Sequence, residues 1–250
     1  MTTVTAPPML SPEFAAYLSM SKQQFLLTNG VEGMMHQEGA AYIDATVALP
    51  SIAEVPASTN AAIETFMVDA SGVVSPTGSN EPLIDAFASA AQQMATAVLA
   101  ALADFGVEMD PPGYVTASIT PCSQINGLAH FDDEHYQPGD GVGFVAIIGD
   151  VGGSRVACEP IAHAPVQAGV PVVFDPASAE RFDGGDLAVH QAEPERLVIF
   201  PQFGQLHAGP PLANAGLDGF RRLLVFRATT RTDGAEPSMP ESPRRRRRRS

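Results

Sequence analysis

The sequence predicts an α+β fold: helices over the first part, then a double-stranded β-helix (jelly roll) with those helices packed on one of its sheets. Three observations predict it. Residues 81–105 carry apolar side chains at alternating steps of three and four, the spacing of one helical face. From residue 113 onward the chain breaks into short β-prone segments divided by Gly, Pro and Asp, with no helical stretch between them. The 250 residues are 45% apolar and 17% charged, enough apolar side chains for a real core.

The elements follow in order. Residues 11–28 read as a helix, with Phe14, Leu18, Met20, Phe25 and Leu26 near helical spacing and Gly30 as a stop. Residues 40–68 are mixed and hold two prolines; 41–49 have weak strand character, and 71–79 read as a loop. The clearest helix covers 81–105. Asn80 suits its N-cap, Glu81 complements the positive end of the dipole, and Pro82 is tolerated in the first turn. Ile84, Phe87, Ala91, Met94, Val98, Leu102 and Phe105 form its stripe, and Gly106 closes it. This helix is expected to pack on a sheet. Strands are expected at 114–119, 125–131, 143–149, 170–174, 196–200 and 221–228. The chain thus divides into a helical and mixed region at 1–112, a jelly-roll core at 113–230 and a disordered Pro/Arg-rich tail at 231–250. No internal repeat is visible.

Charge is unevenly placed. There are 28 acidic and 14 basic residues, and six of the basic ones are the run Arg244 to Arg249. Residues 1–243 keep eight basic against 28 acidic, a net of −20. A body this acidic argues against a broad nucleic-acid surface, and solubility explains the charge. No run of about 18 apolar residues suggests a membrane span, and the N-terminus lacks a secretory pattern. With two cysteines, Cys122 and Cys158, no disulfide scaffold is expected; a reducing cytoplasm fits. Nothing in the sequence sets an oligomeric state.

Chemistry concentrates at His130-Phe131-Asp132 and at His207. Residues i and i+2 of a strand point to one face, so His130 and Asp132 can project together. Two imidazoles and one carboxylate are the set that holds non-haem Fe(II) on one face and leaves other positions open. An H-x-D pair alone has little specificity. Its context adds weight: His207 follows the apolar run Leu197 to Phe200 and a proline turn, and two arginines open the last strand 14 and 15 residues later.

In this order and spacing the chain resembles the Fe(II)- and 2-oxoglutarate-dependent dioxygenases. Ser118 to Asp132 resembles the approach to H-x-D in their prolyl-hydroxylase branch. Leu197 to Pro201 resembles the strand that delivers the distal histidine, and Arg221 to Arg227 the cosubstrate strand. The resemblance covers about 113–228. It implies iron held by His130, Asp132 and His207. It also implies 2-oxoglutarate chelating the metal through its keto acid end, O2 as oxidant and ascorbate as an auxiliary reductant. The family's chemistry converts 2-oxoglutarate to succinate while oxidising a substrate. Hydroxylation is the default outcome because Asp132 is present; halogenating members carry a small residue there. A small molecule or a protein side chain is the expected substrate.

The far carboxylate of the keto acid needs an arginine, whose planar fork grips it with two parallel bonds. Arg221 shares a strand face with Leu223, Val225 and Arg227; Arg222 shares one with Phe220, Leu224 and Phe226. The second face is greasier and suits packing under helices, so Arg221 is preferred inward, with Arg227 inward and nearer the iron. A one-residue register slip would substitute Arg222.

Other motifs are weaker. Asp133, Glu134 and His135 read as a solvated turn or a substrate rim. His190 is a rival ligand without a matching carboxylate or arginine pattern, and His36 and His163 read as incidental. Gly139 to Gly143 has no surrounding strand-turn-helix unit, so it is no phosphate loop. Cys122 and Cys158 read as small buried side chains, Cys122 close to the proposed site. The rival function class is a non-catalytic or differently metallated cupin-like binding protein; a metal-dependent hydrolase is a third.

Overall fold

The structure is a computed structural model; it describes residues 3–4, 12–19, 41–51, 62–104, 106–122, 141–152, 154–157, 189–202, 207–210 and 219–231. In chain order the elements are β1 (Thr3–Val4), α1 (Pro12–Leu18), β2 (Ala41–Ile43), β3 (Ala62–Val68), β4 (Val74–Pro76) and α2 (Glu81–Asp104). Then come β5 (Glu108–Pro121), β6 (Gly143–Gly149), β7 (Arg155–Ala157), β8 (Val189–Gln191), β9 (Leu197–Pro201), β10 (His207–Ala208) and β11 (Phe220–Arg231).

Two sheets form. The large one runs β2-β9-β6-β11-β5-β3-β4 and the small one β1-β8-β7-β10. Every pairing among the described strands is antiparallel except β1 with β8. The arrangement is jelly-roll-like.

Why β6 and β9 are apolar throughout, and β11 over its middle, follows from what covers them. Leu224, Phe226 and Ala228 of β11, Phe144, Ala146 and Ile148 of β6, and Leu197 and Ile199 of β9 join the larger core cluster. That cluster also holds Leu83, Phe87, Met94, Val98 and Leu102 of α2 and Phe14, Tyr17 and Leu18 of α1. The alternate residues Val225, Val145, Val198 and Phe200 point the other way, into a smaller cluster with Val156 of the small sheet and Tyr42. Each strand buries both faces, so the period of two is masked by greasy residues on both sides.

The long helix starts and stops as its sequence suggests. The amides of Leu83 and Ile84 donate to the Asn80 carbonyl. The Asn80 amide itself donates to the buried Glu64 carboxylate of β3, 3.0 Å away, tying the helix start to the sheet. Gly106 takes a positive φ of 68°, and the Val107 amide closes back on the Leu102 carbonyl. Leu83 is buried and Ile84 is only partly so, a shift of the stripe by one residue at its start. By length and composition α2 could cross a membrane. Here its apolar face lies in the core.

The structure also corrects several boundaries. The 71–79 loop contains strand β4, and the 40–68 stretch contains strand β3. The strand expected at 114–119 begins at Glu108, because Met109 and Asp110 pair with Thr230 and Thr229 past a β-bulge. Strands β7 and β8, three residues each, were not expected. The expected strands at 125–131 and 170–174, residues 20–28 of the expected first helix and the tail at 232–250 lie outside the described residues.

Candidate functional site

The site begins with which face each side chain takes. His207 of β10 stands opposite Val156 of β7, and Val156 stands opposite His190 of β8. Residues directly opposite in a sheet share a face. His190, Val156 and His207 therefore form one row across the small sheet, the histidines about 10 Å apart from the strand spacing. That face looks into the roll. Val156 is fully buried in the inner cluster, and the His207 ring packs 5.1 Å from the ring of Phe200, another member of it.

The large sheet supplies the opposite wall. Along β11, Leu223 and Val225 pack into the inner cluster. Arg221 lies on the same alternation and is 7% exposed. Its Nη2 crosses the roll and donates to Ser154 Oγ at 2.6 Å, just before β7. Its Nε is buried and lacks a hydrogen-bond partner among the described residues. Burial pushes the Arg221 pKa down, with Asp150 and Cys122 pulling it back up; an arginine keeps its charge at neutral pH regardless. Ser154 precedes Val156 by two residues, about 7 Å along the strand. Strand rise and strand spacing together leave roughly 8 Å between Ser154 and the His207 backbone. A five-carbon diacid can bridge such a span.

Arg222 is committed elsewhere. Its Nε meets Asp150 Oδ2 at 2.7 Å, its amide meets Asp150 Oδ1 at 2.8 Å, and its Nη1 donates to the Pro50 carbonyl. Side chains of the pair are 15% and 8% exposed. Asp150 thus holds β11 to the end of β6, and Arg222 reaches to the chain just after β2. Replacing Asp150 with Ala leaves a mostly buried guanidinium short of its anion. The expected cost is about 3 kcal/mol, read as a lower urea midpoint with an unchanged slope. A loss under about 1 kcal/mol would show that the pair is decorative.

Arg227 pairs with Val145, and Val145 with Phe200, the residue against which His207 packs. It is half-buried and sits on the His207 side of the roll, six residues along β11 from Arg221. Cys122 is buried, and its thiol pKa is raised by desolvation and by Asp150, with Arg221 opposing.

His130 and Asp132 lie outside the described residues, as do His36, Asp133, Glu134, His135, Cys158 and His163. Among the described residues no three His, Cys, Asp or Glu side chains gather as a metal site. Sequence reasoning missed Ser154 and Asp150. A three-residue strand gives no periodic signal for Ser154, and an aspartate after Gly149 looks like any strand-ending turn.

No family model matches the chain, and no curated protein matches it. Solved structures do. A Pseudomonas putida prolyl-4-hydroxylase is 17% identical, over 72% of this chain and 77% of that one, at a TM-score of 0.33. A 2OG-Fe(II) oxygenase family oxidoreductase from Burkholderia pseudomallei is 11% identical over 70% and 72%, also at 0.33. The Arabidopsis thaliana dioxygenase for auxin oxidation, bound to 2-oxoglutarate, is 12% identical over 76% and 69%, at 0.35. These likenesses are remote, and the chain's own residues carry the functional reading.

Proposed function

We propose that the chain is an Fe(II)- and 2-oxoglutarate-dependent dioxygenase that hydroxylates a small molecule or a protein side chain. The observation that carries this reading is Arg221. It is an arginine buried inside the roll, reaching across to Ser154 with one N–H unpaired among the described residues, on the interior that His207 also faces. A buried cation with an open donor is costly unless something anionic meets it.

In this reading His207, His130 and Asp132 hold the metal, and Arg221 with Ser154 receives the far carboxylate of 2-oxoglutarate. When bound, metal and cosubstrate supply O2 activation and oxidation of a substrate C–H bond. The chain's own residues do the rest. Phe200 fixes the His207 ring through packing. Val156, Val145 and Val225 keep water from the interior, which strengthens the arginine–carboxylate attraction. Asp150 occupies Arg222, which leaves Arg221 as the inward-facing member of the pair.

The test is spectroscopic. Under anaerobic conditions Fe(II) plus 2-oxoglutarate should give the wild type a weak visible charge-transfer band, and His207→Ala should lose it. Succinate release with O2 and ascorbate is the companion assay. A wild type that binds neither iron nor 2-oxoglutarate sinks the oxygenase reading and favours a cupin-like binding protein; activity without O2 favours a hydrolase.

A further inference from the structure

His190 plays no part in that reading, yet its imidazole is fully enclosed. It is 0% exposed, and neither Nδ1 nor Nε2 has a hydrogen-bond partner among the described residues. Its ring lies edge-on to Tyr42 of β2, 4.9 Å between centroids at 70°. Tyr42 is pinned in turn. Its hydroxyl accepts from the Glu193 amide at 3.1 Å, and the Arg196 guanidinium sits 3.9 Å over its ring. Arg196 also pairs with Glu193 at 3.3 Å on the surface.

Among the described residues, the charged and titratable groups around His190 offer a proton no home. From β2 comes Tyr42; from the segment after β8 come Glu193 and Arg196. Its register partner on β7, Val156, is apolar. Arg155 neighbours Val156 on the alternate face, and His207 stands one strand beyond. Glu193 is half exposed and already shared with Arg196.

We propose that His190 is an acid-sensitive latch: neutral, it closes β8 onto Tyr42 of the large sheet, and once protonated it releases that edge of the small sheet. Val156 is the register partner of both His190 and His207, so release loosens the row that carries His207. The latch does not depend on the oxygenase reading, because it concerns only how the two sheets are held together.

The direction of the pH effect follows from linkage. Burial lowers the folded-state pKa of His190 from 6.5. Above pH 6.5 neither state carries the proton, and the latch is fully closed. Below it the unfolded chain takes a proton that the folded chain refuses, so stability falls with pH until the folded pKa is reached.

Thermal unfolding of the full chain from pH 8 to pH 5 tests this with wild type, His190→Leu and His190→Gln. The wild-type melting temperature should fall relative to both variants by roughly 3–5 °C per pH unit below 6.5. Parallel profiles for all three would overturn the latch. Should both variants fail to fold, NMR of histidine-labelled wild type decides. A ring that stays neutral until β8 loses amide protection supports it; a ring titrating near 6.5 in the intact fold overturns it.

Discussion

Arg221→Leu is expected to weaken 2-oxoglutarate binding about 10²–10³-fold while the protein stays folded. Two charge-assisted hydrogen bonds to a carboxylate, in a water-poor interior, contribute about 3–4 kcal/mol together. At 1.4 kcal/mol per decade that gives the stated range. Folding should survive because the substitution removes a buried charge whose Nε lacks a partner among the described residues. Arg222→Leu should do the reverse. It breaks the ion pair with Asp150 and lowers stability, yet leaves the affinity of the folded fraction within about threefold, since Arg222 lies on the strand face opposite Arg221 and its side chain is held by Asp150 and Pro50. Titration of the anaerobic band in both variants, beside their melting curves, reads the two effects separately. If Arg222→Leu loses the cosubstrate and Arg221→Leu keeps it, the assignment is inverted.

Phe226→Ala is the substitution expected to cost most in stability, about 3–5 kcal/mol. Phe226 is fully buried at the centre of the large sheet, edge-on to Phe144 at 5.8 Å and 89°. It also packs closely over Gly113, where an added Cβ would come within 2.6 Å of its ring. Truncation opens a cavity between sheet and helix that rigid strands cannot close. For a domain of this size the melting temperature should drop by roughly 10 °C. A loss of less than about 1 kcal/mol in urea would show that this core relaxes far more than its packing implies. Arg221 stands on the other face of the same strand, so the folded fraction should still bind 2-oxoglutarate.

Much of the core was legible because single strands and the long helix state their own pattern. The stripe from Phe87 to Leu102 names the helix face, and that face is the buried one. The face split of β11 was also readable, since the face of Phe220, Leu224 and Phe226 is greasier than that of Leu223, Val225 and Arg227; Leu224 and Phe226 pack under the helices, and Leu223 and Val225 line the roll. The short strands β7 and β8 were not legible. Three residues contain no period, and their existence is decided by partners more than 30 residues away.

The chain by itself determined which residue types could do chemistry. It offered two separated histidines, a carboxylate two residues from one of them, and paired arginines on a strand. Those identities are local facts. Only the tertiary structure decided which arginine is spoken for, because Asp150 and Pro50 reach Arg222 from 72 and 172 residues away. It alone set Ser154 against Arg221 and placed His190 in the row of His207. The physical reason is that hydrogen bonds and burial depend on distance in space. A sequence orders its side chains along one dimension, and the sheets choose which of them meet.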